Sequence, residues 1–328
     1  MKISVAMATY NGAMYIEKQL ESIRGQSVSP DEVIICDDNS TDDTYSIIEN
    51  YIIRNHLQSW KLYRNKTNVG YKRNFYIALK EVKGDIVFLS DQDDEWLSNK
   101  IETIMGIFCS DNRVLAVNSA VTLIDEFSEP LFNKPQKNYV NSNFLYTDKK
   151  LSELTDFDEL YISKHNITPG CAMAVKKSII DEFLCLYDFG IPHDWFLNLI
   201  ASYKKGCFFL DKELIRYRIH SQNAIGSNTD LKKGIMTKDK DFRIEDFNNR
   251  KNALFILNNK YNCYDTREII KLYDNMISFY DSPSVLKLFK LYRCDGYMEL
   301  SKRKVKFWEI ILALHLDWLV KMIVIRLQ

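Results

Sequence analysis

At 328 residues, with 46% apolar and 13% aromatic side chains, the chain can bury one large core with additions or two modest domains, and a disordered polypeptide is excluded. Its 44 basic residues balance 44 acidic ones, so no global field for nucleic acid exists and no nucleic-acid partner is expected. Seven scattered cysteines (Cys36, Cys109, Cys171, Cys185, Cys207, Cys263, Cys294) form no C-x-x-C pair, which predicts reduced thiols, no zinc site and a cytoplasmic location.

Ile3-Ser4-Val5-Ala6-Met7 reads as a buried strand with only Met1 and Lys2 before it, so no signal peptide is expected. Ile16, Leu20 and Ile23 mark a helix face, and Glu32-Val33-Ile34-Ile35-Cys36 leads as a strand into Asp37-Asp38. A second helix spans roughly Thr41 to Arg54, Trp60 to Tyr63 is extended, Tyr71 to Val82 is helical, and Ile86 to Leu89 is the next strand. This alternation predicts an α/β fold with a doubly wound, mostly parallel sheet. Ligands of such sheets lie outside the carboxyl ends of the strands. Those ends are Thr9-Tyr10-Asn11-Gly12, Asp37-Asp38-Asn39-Ser40 and Ser90-Asp91-Gln92-Asp93. Neither G-x-G-x-x-G nor G-x-x-x-x-G-K-[ST] follows the first strand, so phosphates must be held by metal and side chains.

The run Ser90-Asp91-Gln92-Asp93-Asp94-Glu95-Trp96 is the most informative. Carboxylates crowded at the lip of a buried strand repel one another, and a divalent cation that also binds phosphate oxygens relieves this most simply. A solvated acidic turn is the bland alternative. A calcium loop is the sharper one, because Asp91, Asp93, Glu95 and Glu102 fall at positions 1, 3, 5 and 12 of the EF-hand pattern. Trp96 stands where that loop needs glycine, and the preceding segment reads as a strand, so calcium sensing is set aside.

Residues 128 to 150 are polar, with Pro130 and Pro135, and predict a loop near the site. Thr168 to Val175 reads as a turn and strand, Lys177 to Tyr187 as a helix, Ile191-Pro192-His193-Asp194-Trp195 as the opening of another, and Leu214 to His220 as a closing strand. Residues 226–247, rich in Lys and Asp, suggest a linker or lid between a domain at 1–225 and a helical region at 248–328. Over residues 285–328, nine Lys or Arg face four Asp or Glu. The last helix is amphipathic, with Lys302, Lys306, Glu309, Asp317 and Lys321 on one face and Phe307, Ile311, Leu314, Leu319, Ile323 and Ile325 elsewhere. Charges interrupt its apolar runs too often for a bilayer span, which leaves a helix packed on its own domain or lying on anionic lipid.

Six segments occur in an order that resembles the family 2 glycosyltransferases of the inverting, GT-A type, especially the rhamnosyltransferase-like members that build bacterial surface polysaccharides. They are Val5 to Gly12, Ile35 to Asp42, Asn68-Val69-Gly70, Gly84-Asp85 to Trp96, His193-Asp194-Trp195 and Tyr217 to Asn223. The resemblance implies a GT-A fold and metal-dependent transfer of a sugar from a nucleotide-diphosphate donor, dTDP-rhamnose or a UDP-hexose, to a glycan hydroxyl. It implies that Thr9, Tyr10, Asn11, Asp37 and Asp38 hold the nucleotide. Asp91 and Asp93 match the D-x-D motif, a site for Mn²⁺ or Mg²⁺, although the run Asp91-Gln92-Asp93-Asp94 leaves open whether Asp94 replaces Asp91.

By the same resemblance Asp194 is the catalytic base, while Arg218 and His220 contact diphosphate or metal. His193 orients Asp194 or contacts the acceptor, and Trp96 and Trp195 are either sugar platforms, since aromatic faces pack on the apolar side of a pyranose, or core side chains. The expected acceptor is a polyprenyl-diphosphate-linked glycan, met by a protein peripherally bound through its C-terminal helices to the cytoplasmic face of the inner membrane. A sugar-phosphate nucleotidyltransferase would need a basic, Gly-rich loop after the first strand, which Thr9-Tyr10-Asn11-Gly12 is not. An aspartyl phosphatase would carry its D-x-D there too, and a non-catalytic nucleotide-sugar-binding protein would not need the full acidic cluster.

Overall fold

The first strand, β1 (Ile3–Thr9), is buried at every position, as a strand covered on both faces must be. Its polar intruder Ser4 donates to Glu32 Oε1 (2.6 Å) and accepts from the Gly84 N–H (2.7 Å), so no hydroxyl is orphaned in the core. Parallel partners lie on both sides: β2 (Glu32–Asp37) and then β3 (Trp60–Arg64) on one, β4 (Ile86–Ser90) on the other. The crossovers are α1 (Ile16–Arg24), α2 (Thr44–Arg54) and α3 (Tyr71–Glu81). Each buries a stripe at helical spacing, such as Ile16, Gln19, Leu20 and Ile23 on α1. In this computed structural model the described residues are 1–147, 150–220, 240–263, 265–297, 309–310 and 312–314.

After β4 come β5 (Glu95–Trp96), α4 (Lys100–Ser110), β6 (Ala116–Ile124), a hairpin of β7 (Tyr139–Val140) and β8 (Leu145–Tyr146), β9 (Leu154–Asp156) and α5 (Glu159–Lys164). A 3-10 turn at Gly170–Ala172 then leads into β10 (Met173–Lys176), α6 (Lys177–Leu186), α7 (His193–Tyr203) and β11 (Cys207–Arg218). The main sheet runs β3-β2-β1-β4-β10-β6-β11-β5, with β9 also on β11. β10 is antiparallel to both β4 and β6, and β5 and β9 are antiparallel to β11. The sheet is therefore mixed and mostly parallel, flanked by helices, as the alternation of elements predicts. Two register shifts against β6, between Leu210 and Ile215, let the long β11 carry Arg218 to the same carboxyl edge as β1, β2 and β4.

Met1–His220 forms one compact unit and Ser221–Gln328 a second. The described helices of the second are α8 (Lys240–Tyr261), α9 (Arg267–Asp281) and α10 (Val285–Tyr292). Of the expected linker, residues 226–239 lie outside the described residues and 240–247 form the first turns of α8. Of the expected amphipathic helix beyond residue 302, only 309–310 and 312–314 are described. There, buried Glu309 accepts hydrogen bonds from Tyr280 Oη and Tyr297 Oη. No helix among the described residues is long and apolar enough to cross a membrane.

Candidate active site

Register sets the three strand ends side by side, with Thr9 opposite Asp37 and Met7 opposite Ser90. Asp37 is fully buried. Its oxygens accept from Thr9 Oγ1 (3.2 Å), the Ser40 hydroxyl and the Ser40 N–H (2.9 Å), which holds a turn that needs Asn39 at φ 59°. Asp38 is 2% exposed and clamps a more distant loop. Its Oδ1 accepts from Val69 N–H and Asn65 Nδ2 (both 2.8 Å), and its Oδ2 accepts from Gly70 N–H (2.8 Å). These aspartates thus set the shape of the cleft edge from beneath. Asn11, at φ 49°, accepts at Oδ1 from Thr41 N–H (2.8 Å) and ties the first loop to the second. Gln92 joins the first to the third, accepting from Tyr10 N–H (2.7 Å) and donating to Tyr10 O (2.9 Å). A Cβ at Gly12 would collide with this amide, which explains a glycine there. Tyr10 itself is 43% exposed at the rim.

In the acidic run, Asp91 and Asp93 are half-buried and Asp94 is fully buried. Burial, then the Asp94 and Asp93 charges and more weakly Asp194, hold the Asp91 carboxyl well above the ordinary range. Burial and then Asp93 push Asp94 up to about 7. Asp94 Oδ1 accepts from the Arg218 backbone N–H (3.0 Å), whereas Oδ2 is buried with no donor but the weak Cys171 thiol among the described residues. A buried carboxylate oxygen lacking a strong donor is costly unless a cation meets it. Asp91, Asp94 and Cys171 bring ligand atoms within 4.8 Å of one another. Two carboxylates suit hard ions such as Mn²⁺ or Mg²⁺. The Cys171 thiol, pushed well up by burial and by Asp94 and Asp91, stays protonated and is a poor ligand beside them. Lys100 lies under this cluster, fully buried, with Nζ donating to Cys171 O (2.8 Å) and 3.8 Å from the Trp96 ring centre. Burial lowers its pKa to about 7. Among the described residues Asp91 and Asp94 thus lie together beside Cys171, while Asp93, expected at the metal with one of them, turns its Oδ2 to His220 Nε2 at 2.8 Å.

Arg218, expected at the diphosphate, is placed otherwise. It is fully buried, donating to Asp93 O (2.7 Å), Asp125 O (2.8 Å), Ser128 Oγ (3.1 Å) and Glu95 Oε1 (2.6 Å). Its fork is spent fastening the acidic loop to β11 and to the loop after β6. Trp96 and Trp195, expected as sugar platforms, are core side chains at 4% and 1% exposure. Trp96 sits on β5 opposite Ile215, and Trp195 Nε1 donates to Ile162 O (2.8 Å). A ring sealed in the core has no face for a sugar.

α7 opens at His193 with Pro192, in an extended conformation, as its N-cap, and carries His193 and Asp194 into the cleft wall. Asp194 is 9% exposed and its Oδ2 accepts from Asn166 Nδ2 (2.7 Å). His193 stacks on Phe75 with ring centres 4.0 Å apart, and neither ring nitrogen has a partner among the described residues. Burial drops its pKa to about 4, so it is neutral at physiological pH. Gly170 allows this packing: a Cβ there would lie 3.1 Å from Asp194 Cβ and 3.3 Å from His193 Nε2. Cys171, Lys100, Gly170 and Asn166 are the site neighbours that sequence reasoning missed. Only the Pro169-Gly170 turn ahead of an apolar strand offered a signal.

The Glycosyl transferase family 2 profile matches residues 4–183. The dTDP-rhamnosyl transferase RfbG of Shigella flexneri is 31% identical over 248 residues, covering 69% of this chain and 75% of that protein. Two solved structures share the fold at low identity. The S. aureus TarS 1-349 complex with UDP-GlcNAc superposes with a TM-score of 0.57 at 18% identity, over 94% of this chain and 79% of the other. The mannosyltransferase PcManGT of Pyrobaculum calidifontis with GDP-Man and Mn²⁺ gives 0.53 at 16%, over 97% and 87%. With an α/β sheet of the GT-A kind, an acidic loop at its carboxyl edge and this profile over more than half its length, the chain belongs to glycosyl transferase family 2.

Proposed function

We propose that the protein moves a sugar from a nucleoside-diphosphate donor, dTDP-rhamnose or a UDP-hexose, to a hydroxyl of a growing polyprenyl-diphosphate-linked surface glycan, with inversion at C1. The observation that carries this reading is that Asp91 and Asp94 crowd together at the carboxyl edge with Asp194 near, and that the buried Asp94 carboxylate meets only the Arg218 N–H and the weak Cys171 thiol donor among the described residues. Asp91 and Asp94 would hold Mn²⁺ or Mg²⁺, with Asp93, steadied by His220, beside them. Bound there, the ion would stabilise negative charge on the departing diphosphate.

The protein's own side chains do the rest. Tyr10 and Asn11 line the nucleotide end, and buried Thr9, Asp37 and Asp38 fix the turns that shape it. Asp194 takes the acceptor hydroxyl's proton as that oxygen attacks C1 opposite the leaving group. Asn166 occupies Asp194 Oδ2, leaving Oδ1 for the acceptor. His193, neutral and packed on Phe75, closes the wall behind Asp194 and keeps water from it.

The S. flexneri relative, named for dTDP-rhamnose, supports that donor, and the UDP-GlcNAc complex on this fold keeps UDP-sugars in the panel. The test incubates the protein with dTDP- and UDP-sugars, with and without Mn²⁺, and follows nucleoside diphosphate release. Asp194→Asn should abolish transfer and leave donor binding intact. An active Asp194→Asn protein would remove the base assignment, and failure of every donor would remove the reading itself.

A further inference from the structure

The second unit carries a surface that the transfer reaction does not use. Helix α10 (Val285–Tyr292) buries Leu288 and Leu291 and turns its other side to solvent. At 100° per residue, Phe289, Arg293, Leu286 and Lys290 follow one another around the outward arc, with Val285 at its flank. Leu286 is 80% exposed, Val285 57% and Phe289 56%. Large apolar side chains grouped in this way on one helix are not ordinary surface.

The charge on the helix itself has a single sign, with exposed acids, Asp281 and Asp295, just beyond its two ends. From Ser282 to Cys294 there are three cations, Lys287, Lys290 and Arg293, and no acid. Lys287 Nζ is held against Ser278 O (2.8 Å) and Ser282 Oγ (2.5 Å). Lys290 and Arg293 are exposed, and the Arg293 guanidinium lies 4.3 Å from the Phe289 ring centre. Apolar side chains pointing outward between cations is the pattern of a helix lying in a headgroup layer, where the rings and aliphatic chains enter the acyl boundary and the cations meet lipid phosphates. A protein partner of matching shape would have to bring acidic residues to interleave with the apolar ones, whereas an anionic bilayer offers both at once.

We infer that α10 is a membrane-docking element, with Leu286 and Phe289 inserting and Lys290 and Arg293 binding anionic phospholipid. The inference sharpens the peripheral-membrane reading, which it rests on, by naming the element and the lipid chemistry. It does not involve the donor or the catalytic groups. One short helix gives a weak, salt-sensitive and reversible hold.

The test is flotation of the full chain with phosphatidylglycerol-containing vesicles and with pure phosphatidylcholine vesicles, alongside Leu286→Asp/Phe289→Asp and Lys290→Glu/Arg293→Glu proteins. Circular dichroism and donor turnover monitor folding, and light scattering monitors oligomeric state. Expected is binding to anionic vesicles only, released by high salt and reduced at least tenfold in both double variants. Absence of wild-type flotation would overturn the docking and the peripheral-membrane reading together. Undiminished flotation of the folded variants would overturn α10 alone and leave another segment as anchor. A wild-type oligomer that the variants dissociate, without vesicle binding, would overturn it in favour of a contact between copies.

Discussion

Replacing Arg218 by Ala separates the role found for it from the one its position in the motif suggests. The side chain is fully buried and among the described residues reaches the Glu95 carboxylate, whose side chain is 17% exposed, together with Asp93 O, Asp125 O and Ser128 Oγ. Removal leaves two carbonyls short of a donor and Glu95 with the Ser128 hydroxyl and Arg216, 3.6 Å away. Breaking a fully buried ion pair costs about 3–5 kcal/mol, and the contacts Glu95 keeps put this case at the lower end. For a unit of this size that corresponds to a melting temperature lowered by roughly 10 °C. Arg218→Lys keeps the charge but loses the planar fork, and should fall between. Urea and thermal unfolding followed by circular dichroism provide the measurement. An Arg218→Ala protein within about 1 kcal/mol of wild type, but with a KM for donor raised tenfold or more, would refute this reasoning and return the guanidinium to the diphosphate.

Three further outcomes follow from the same contacts. Gly170→Ala should fold normally but lower kcat about tenfold with little change in donor KM, because its Cβ would displace Asp194 and His193 by a few tenths of an ångström; steady-state kinetics check this. Mn²⁺ affinity, measured by calorimetry, should fall by up to about tenfold per pH unit below about 7, because a cation must displace the proton that Asp94 then carries; Asp94→Asn should bind weakly with a flatter profile. His193→Phe should remove about 3 kcal/mol of acid sensitivity between pH 6.5 and 4, since unfolded histidine protonates near 6.5 and the buried one only near 4, so stability is lost as pH falls through that window. Asp94, raised to about 7, acts in the opposite direction over much of that range. The readout is therefore the difference between variant and wild-type unfolding at each pH.

The first half of the sheet was legible because Ile3–Met7, Val33–Cys36 and Ile86–Leu89 are continuous apolar runs, the mark of strands buried on both faces. The acidic loop was legible for the same reason, since carboxylates directly after such a run can only emerge at the sheet edge. The direction of β10 was not, because Met173–Val175 is equally apolar in either orientation and only pairing with β4 and β6 fixes it. Arg218 misled because two of its four acceptors among the described residues are backbone carbonyls, which leave no trace in residue identity. Trp96 is open to either a sugar-facing or a core reading, because residue type alone does not fix which way its ring points. The two-residue pairing of β5 with β11 turns it inward. Cys171 reaches the acidic cluster only through tertiary packing, and Lys100, although close to the acidic run in sequence, opens a helix whose inward turn beneath that run has no signal in residue type.

The central claim is that the acidic rim binds a divalent cation together with the donor diphosphate. Crystals grown with Mn²⁺ and a nucleoside diphosphate, measured at the manganese edge, test it most directly. The expected result is an anomalous peak within coordination distance of Asp91 and Asp94, with the diphosphate against it and the nucleotide along Tyr10 and Asn11. Diphosphate bound elsewhere, or bound there with full affinity and no manganese peak, would contradict it.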